Sequence, residues 1–197
     1  MKQKQSVSVY RLVFCALMAA MVYVSTIIRI PLGDSKISVA NAVCILAGFL
    51  MTPVDAGIAA GLGSALYDVT LGGYDAVGCI ITFVSKFAMA FVCSALNLLY
   101  EAKTKRDIRK PSVSVYLISA VAALTYVALY MLKTMLMGLI VDGLAMNAVW
   151  VKMAAKLPAS LINACAAVII APPLYWALRI PLVRMGIFPR AIPPTRC

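Results

Sequence analysis

Residues 79–100 read CIITFVSKFAMAFVCSALNLLY, and Lys86 is the single charged residue among them. As an α-helix, a segment of this length rises about 33 Å, which is enough to cross the roughly 30 Å hydrocarbon core of a bilayer. The segment is too apolar for the surface of a soluble protein. It therefore predicts a transmembrane helix that carries one lysine at membrane depth.

Similar apolar segments cover most of the chain. Hydrophobic residues make up 63% of the 197 residues and charged residues 13%, whereas soluble domains have about half and about a quarter. We predict six transmembrane helices, at about 9–30, 39–52, 56–71, 79–100, 113–141 and 152–178. The chain is therefore expected to be one all-α membrane domain covering 1–197.

The basic residues predict how these helices are oriented. Three lie near the N-terminus, five between the fourth and fifth segments, and four after the sixth, all on one side of a six-helix arrangement. The other side has Arg29, Lys36, Lys152 and Lys156. Because cytoplasmic loops carry the excess of Lys and Arg, both termini are predicted to be cytoplasmic in a multi-pass plasma-membrane protein. The net charge of +11 then reflects topology and contact with the lipid bilayer, and no nucleic-acid partner is expected.

The residue types argue against an enzyme. The sequence has no histidine, and its six cysteines show no CxxC spacing, so neither a common zinc site nor a His-activated nucleophile is predicted. Seven acidic residues are scattered, and Asp68 is the one that lies within a predicted span. We expect no catalytic site, no metal site and reduced, packed cysteines.

The second and third segments are short. Their 14 and 16 residues rise about 21 and 24 Å as helices, which is less than a bilayer needs. The loops 29–38 and 72–78 are therefore expected to dip toward the membrane from the outside. Irregular backbone is tolerated there where it lines a cavity, so the pattern predicts a pocket that opens outward.

Two lysines within apolar runs, Lys86 and Lys133, are the strongest candidates for that pocket. Each lies about 11 Å from the outer end of its helix, and an ammonium at mid-bilayer costs at least about 2.5 kcal/mol. Snorkelling to the interface is one explanation. A shared anionic or carbonyl-bearing ligand is another, and a carboxylate partner such as Asp68 or Asp75 is a third.

Other polar residues complete the predicted site. Interhelical hydrogen bonding explains Asn41, Tyr130 and Asn163 as well as ligand contact does, and Tyr74 suits an interfacial aromatic belt equally well. The predicted ligand site comprises Arg29, Asp34, Asn41, Tyr74, Asp75, Lys86, Tyr130, Lys133 and Asn163.

Small residues at four-residue spacing predict close helix contacts. Gly57 and Gly61 in the third segment suit a helix in the middle of the bundle. Ala16 and Ala20 in the first segment suit either internal packing or a contact with another protein.

The first half of the chain resembles a known family. The sequence GSALYD at 63–68, followed by Gly73-Tyr74 and then by Ser85-Lys86-Phe87, is similar to the substrate-binding S component of energy-coupling factor (ECF) transporters, nearest the riboflavin-type branch. The third element departs from the family's IKG-like pattern, because the lysine is kept and the glycine is lost.

The resemblance implies six helices and a pocket near the outer face for a water-soluble vitamin or related heterocycle. It also implies work with a transmembrane T component and two cytoplasmic ATPases, with Ala16 and Ala20 at the docking face. ATP would be hydrolysed by these partners, since this chain lacks a GxxxxGK[ST] loop and is expected to hold no cofactor.

Two other functions stay open at this point. A stand-alone secondary transporter would need internal repeats or an ion-coupling carboxylate, and no repeat is visible between the halves. A non-transporting assembly protein would not require two lysines within the membrane. Riboflavin, a pyrimidine thiamine precursor, pyridoxine and other heterocycles all remain candidate ligands.

Overall fold

The computed structural model of the protein describes residues 9–32, 35–73, 76–103, 113–143 and 145–184. These residues form six α-helices and one β-hairpin. The elements are α1 (Val9–Ile27), β1 (Arg29–Leu32), β2 (Ser35–Ser38), α2 (Ala40–Leu50), α3 (Pro53–Tyr67), α4 (Ala76–Lys103), α5 (Val113–Leu136) and α6 (Met146–Arg184).

Several boundaries differ from the predicted ones. The first helix ends at Ile27, and α6 begins at Met146, six residues before the predicted start. Pro53, at the first turn of α3, lets that helix start earlier than expected because its missing N–H needs no partner there. The third and fifth predicted helices each finish in a π-helical turn, at Asp68–Gly72 and Met137–Val141.

Within the predicted outer loop, Arg29–Leu32 and Ser35–Ser38 pair as two antiparallel strands, the hairpin, so the backbone there is regular where irregular backbone was expected. Arg29 pairs with Ser38 and Leu32 with Ser35. The hairpin packs against both α6 and α1.

Helix α2 lies at the centre of the bundle. All 11 of its residues are buried, and it contacts α1, α3, α4, α5 and α6. Around it, α1 packs on α3, α3 on α4, α4 on α5, and α5 on α6. The expectation that the glycine-rich third helix is central is therefore wrong, because α3 exposes Val54, Leu62 and Leu66 to the outside.

Three of the described helices are long and apolar enough to cross a membrane: Ala76–Lys103, Val113–Leu139 and Met146–Arg179. The apolar helices Arg11–Ile27 and Ala40–Leu50 are shorter. A buried α2 does not need to match the bilayer thickness, since its neighbours and not lipid surround it. The number of spans and their orientation stay predictions.

Glycines let α3 approach both neighbouring helices. A Cβ at Gly57 would lie 2.7 Å from the Phe87 ring, and one at Gly61 would lie 2.8 Å from the Phe83 ring, so α4 places aromatic rings in two notches of α3. On its other side, a Cβ at Gly63 would lie 2.4 Å from the carbonyl oxygen of Ala19. The predicted close contacts of Gly57 and Gly61 are thus present.

Ion pairs join helices at the end of the bundle away from the hairpin. Arg11 on α1 contacts Asp55 at the start of α3 at 2.6 Å, and Arg179 on α6 contacts Glu101 on α4 at 3.3 Å. Arg179 is buried and also donates to the Tyr175 hydroxyl. These contacts hold α1 to α3 and α6 to α4 where the chain is predicted to meet the cytoplasm.

We predict that Gly63→Ala destabilises the protein. The added methyl would lie 2.4 Å from the Ala19 carbonyl oxygen and 2.8 Å from the Val22 Cβ. Both atoms are fixed by the backbone of α1, which cannot move without cost. Overpacking of this kind costs about 1–3 kcal/mol. The melting temperature of the detergent-purified protein should fall.

Gly138→Ala is the matched control. Its added methyl would meet the Val149 Cγ2 atom at 3.1 Å, which is the tip of a side chain that can rotate. An equal loss of melting temperature in both variants would contradict the close α1–α3 contact.

Candidate functional site

A cavity of about 370 Å³ lies where α2, α4 and α6 begin and α3 and α5 end. This volume is within the range of pockets that bind small molecules, which is roughly 300–1,000 Å³. Its lining is mostly polar or aromatic: Thr26, Ser38, Asn41, Ser64, Tyr67, Asp68, Thr82, Ser85, Lys86, Tyr126, Tyr130, Lys133, Thr134, Asp142, Lys152, Lys156, Ser160 and Asn163, with Ala40, Gly78, Met137 and Ala159.

Lys86 is at the inner end of the cavity and is 6% exposed. Its ammonium donates a hydrogen bond to Oδ1 of Asn41, on the first turn of α2, and lies 4.3 Å from the centre of the Tyr126 ring on α5. The Asp68 carboxylate, which is also buried, attracts it electrostatically. An ammonium in an apolar bundle needs such a polar shell, and this lysine does not snorkel to the surface.

Lys133 lies in the last turn of α5 and is half-buried. Its ammonium donates to the carbonyl oxygen of Gly78 at 3.3 Å and to the Thr82 hydroxyl at 3.0 Å, both in the first two turns of α4. Lys86 follows Thr82 by one helical turn. The two predicted lysines therefore line the same cavity from facing helices.

Asn163 holds the hairpin against α6. Its Oδ1 accepts a 2.8 Å hydrogen bond from the backbone N–H of Ser38, the last residue of β2. The Ser38 hydroxyl donates to the carbonyl oxygen of Ser25 on α1 and accepts from the N–H of Ala40 on α2. Ser38 thus joins the hairpin to three helices at the rim of the cavity.

Three tyrosines give the cavity aromatic walls. The Tyr126 and Tyr130 rings on α5 are stacked with centres 6.0 Å apart and an interplanar angle of 24°. Tyr67 on α3 is buried and meets Tyr23 edge-on at 6.2 Å. Planar faces of this kind can pack against a flat heterocyclic ring.

Two buried hydroxyls in the lining lack hydrogen-bond partners among the described residues. Ser64 on α3 is 2% exposed and Ser160 on α6 is 4% exposed. Buried polar atoms in native proteins are nearly always satisfied by protein, water or ligand. These two residues, on helices at different sides of the cavity, contribute polar side chains to its lining.

The structure brings five of the nine predicted site residues together: Asn41, Tyr130 and Asn163 join the two lysines. Arg29 lies in β1, opposite Ser38. The predictions for its side chain, and for Asp34, Tyr74 and Asp75, concern parts of the chain outside the described residues. In the part of the chain that is described, no group of acidic, Cys or His side chains could hold a metal.

Ala16 and Ala20 are exposed on α1. Met18 and Val22, two residues further along in each case, are buried on the opposite face. The two alanines therefore do not pack inside the described bundle.

Sequence reasoning missed Tyr67, Tyr126, Lys152 and Lys156. On α5, Tyr126, Tyr130 and Lys133 follow the i, i+4, i+7 spacing of one helix face, which is a readable signal. On α6, Lys152, Lys156, Ser160 and Asn163 follow a similar spacing. Both lysines were counted among the basic residues on the outer side of the membrane, and neither was assigned to the ligand site.

Comparisons with known proteins agree with this architecture. Residues 6–180 match the family described as ECF-type riboflavin transporter, S component. No curated protein sequence matches the chain.

Two solved structures have a similar fold. One is the S component of a bacterial ECF transporter, with a TM-score of 0.65, 20% identity, and coverage of 87% of this chain and 96% of that one. The other is the S component for biotin from an ECF-type ABC transporter, with a TM-score of 0.59, 17% identity, and coverage of 87% and 94%. At these identities the likeness establishes the fold and not the ligand.

The family match covers most of the chain, and its members are membrane transport subunits and not enzymes. The protein, an integral membrane protein with a polar cavity among its helices, therefore belongs to the S components of ECF-type riboflavin transporters, which bind the substrate of vitamin uptake.

Proposed function

We propose that this chain captures a water-soluble vitamin or a related small heterocycle outside the cell and delivers it in an ATP-driven uptake complex. The complex would contain a transmembrane T component and two cytoplasmic ATPases. The ligand would occupy the 370 Å³ cavity at the hairpin end. ATP would be hydrolysed by the partners, and this chain would need no cofactor of its own.

The single observation that supports this proposal most is the polar and aromatic lining of the cavity. Lys86 holds a cation between Asn41 and the Tyr126 ring, and serine, threonine and further tyrosine side chains line the rest of the cavity. A cavity built for packing alone would be apolar, since each buried polar group costs free energy when it is unpaired. A ligand with ring faces and polar edges would satisfy both the tyrosines and the hydroxyls.

The family's name makes riboflavin the first candidate, and the tricyclic ring of a flavin suits the tyrosine walls. A pyrimidine precursor of thiamine, pyridoxine and other heterocycles have the same combination of a flat ring and hydrogen-bonding edges. Mass spectrometry of any small molecule that co-purifies with the protein would identify the ligand directly.

The exposed face of α1 is the proposed docking surface for the T component. Ala16 and Ala20 lie on it, and Leu12, Val13 and Leu17 beside them are more than half exposed. Small residues let another helix approach closely, and large apolar neighbours add contact area.

We further propose that all six helices cross or line the plasma membrane with both termini in the cytoplasm. Residues 101–110 would then be cytoplasmic and 72–78 external. Labelling single introduced cysteines, in a variant that lacks the six native ones, checks this orientation. External labelling at position 105 would contradict it.

Lys86→Met should weaken ligand binding. The substitution keeps the length and apolar stem of the side chain but removes the charge that faces Asn41 and the cavity. Loss of a charged hydrogen bond costs about 1.5–3 kcal/mol, or roughly 10- to 150-fold in Kd. Equilibrium binding of the co-purified ligand to the detergent-solubilised protein measures the change.

Lys103→Met is the control for this variant, because Lys103 is exposed at the far end of α4 and does not line the cavity. The Lys103→Met variant should bind the co-purified ligand with the same Kd as the wild type. The melting temperature of Lys86→Met is followed alongside, and it should fall, because the buried Asp68 carboxylate loses a counter-charge. An unchanged Kd would exclude Lys86 from the site.

Replacing both Ala16 and Ala20 with Trp should abolish co-purification with the T component and ATPases and stop uptake. Ligand binding by the isolated chain should survive, because both residues face away from the bundle. Ala128→Trp, at an exposed position in α5, is the control and should leave assembly intact. Loss of ligand binding along with the fold in the double variant would instead mean that the alanines serve internal packing.

A further inference from the structure

Asn41 is a buried polar side chain at the inner end of the cavity. It lies in the first turn of α2, is 5% exposed and lines the cavity together with Lys86. Its Oδ1 accepts a hydrogen bond from the Lys86 ammonium, and this is the one hydrogen bond that its side chain makes with the described residues. The Nδ2 group, at the other corner of the amide, makes none with them.

Lys86 decides which way round this amide lies. An ammonium group can only donate hydrogen bonds, whereas an amide has an acceptor at one corner and two donors at the other. The amide oxygen must therefore face Lys86. An exposed amide can turn over at little cost, but this one cannot, because its N–H groups would then face a buried cation and leave it without its acceptor.

The fixed orientation makes Asn41 a donor toward the cavity. Its Nδ2 group carries two N–H bonds that the contact with Lys86 does not use. The position of Asn41 in the first turn of α2 adds to this, because N–H groups there have no partners within the helix and carry partial positive charge. A ligand atom that meets Asn41 must therefore be an acceptor.

Aromatic side chains beside Lys86 favour a flat ring as the carrier of that acceptor. The ammonium lies 4.3 Å from the centre of the Tyr126 ring, and the Tyr126 and Tyr130 rings are stacked along α5. A flat ring that packs on aromatic walls meets the polar groups at their end with its edge. On the edge of a heterocycle, a carbonyl oxygen accepts hydrogen bonds and an amino group donates them.

Within the proposed vitamin-binding function, on which this inference rests, we infer that Asn41 selects an oxo-heterocycle, a ring with a carbonyl oxygen on its inner edge, over the corresponding amino-heterocycle. Lys86 is the positioning residue, since it holds the Asn41 amide in the orientation that makes the selection. An amino group at this place would meet Asn41 donor to donor. Both buried groups would then stay unpaired, and sites built on such hydrogen bonds discriminate strongly between related ligands.

Matched rings test the inference: a pteridinone with the corresponding aminopteridine, and a pyrimidinone with the corresponding aminopyrimidine. Within each pair, a carbonyl oxygen replaces an amino group. Calorimetry measures their binding to the purified full-length chain at a pH where all these rings are neutral. The oxo ring should bind at least about tenfold more tightly than its amino partner. Equal affinities, or tighter binding of the amino ring as contact with the Asp68 carboxylate would give, would overturn the inference.

Substitutions at Asn41 and Lys86 change this preference in different ways. Asn41→Asp keeps one oxygen on Lys86 and turns an acceptor toward the cavity, so the preference should reverse in favour of the amino ring, a gain that misfolding cannot produce. Lys86→Met lets the amide turn over, so the two rings should bind more equally. Asn147→Asp, the same substitution at an exposed residue of α6 outside the cavity lining, should leave the preference unchanged. An unaltered preference in Asn41→Asp or in Lys86→Met would overturn the inference.

If none of these rings binds, the small molecule that co-purifies with the wild type decides. Native mass spectrometry identifies it, and its Kd is compared between the wild type and Asn41→Asp. A ring carbonyl in that molecule, with a Kd raised at least about tenfold in the variant, supports the inference. A molecule without a ring carbonyl, or an unchanged Kd, overturns it and leaves the binding function in place.

Failure of the proposed function looks different. The wild type would then bind no small molecule, and its co-expression with a T component and ATPases would give no vitamin uptake.

Discussion

The outer half of the molecule depends on the solvation of one buried ammonium group. Lys86 lies on α4, where water cannot reach it freely, and an unsolvated ammonium would cost several kcal/mol. Asn41 of α2, Tyr126 of α5 and the carboxylate of Asp68 at the end of α3 supply the missing shell. Because Asn41 and Tyr126 must both reach the ammonium, the lysine fixes the relative depth of α2, α4 and α5. The cavity opens immediately outside the ammonium.

The helices pack together at one end of the bundle and leave a cavity at the other. At the predicted cytoplasmic end, Arg11 and Arg179 each have a carboxylate on a neighbouring helix, and the helices meet there. At the hairpin end, a cavity lined by polar and aromatic side chains lies between the helices. The hairpin closes the gap between α1 and α6, and it does so through backbone and amide hydrogen bonds of Ser38 and Asn163.

The sequence could predict those site residues that are polar and lie inside apolar runs. Each of them costs free energy in the membrane unless it faces a polar interior, so each one marks such an interior. Lys86, Lys133, Asn41, Tyr130 and Asn163 stand out for that reason, and all line the cavity. Tyr67 could not be singled out, because tyrosine is ordinary in membrane helices and only packing shows which ring faces inward. Tyr126 was missed although it shares one face of α5 with Tyr130 and Lys133. The hairpin was equally hidden: its strands have four residues each and the first contains a proline, so neither period nor propensity marks them.

The glycine contacts of α3 bear on how such a bundle can deform. Where Gly63 meets the backbone of Ala19, no side chain intervenes that could change rotamer, and the Phe83 and Phe87 rings fill their notches without spare volume. Helices α1, α3 and α4 therefore form a stiff wall. The facing wall, α5 and α6, carries long lysines and stacked tyrosines, whose side chains can change rotamer. When the cavity widens or narrows, α5 and α6 should therefore move against α1, α3 and α4. The outward face of α1 should keep its shape during this motion.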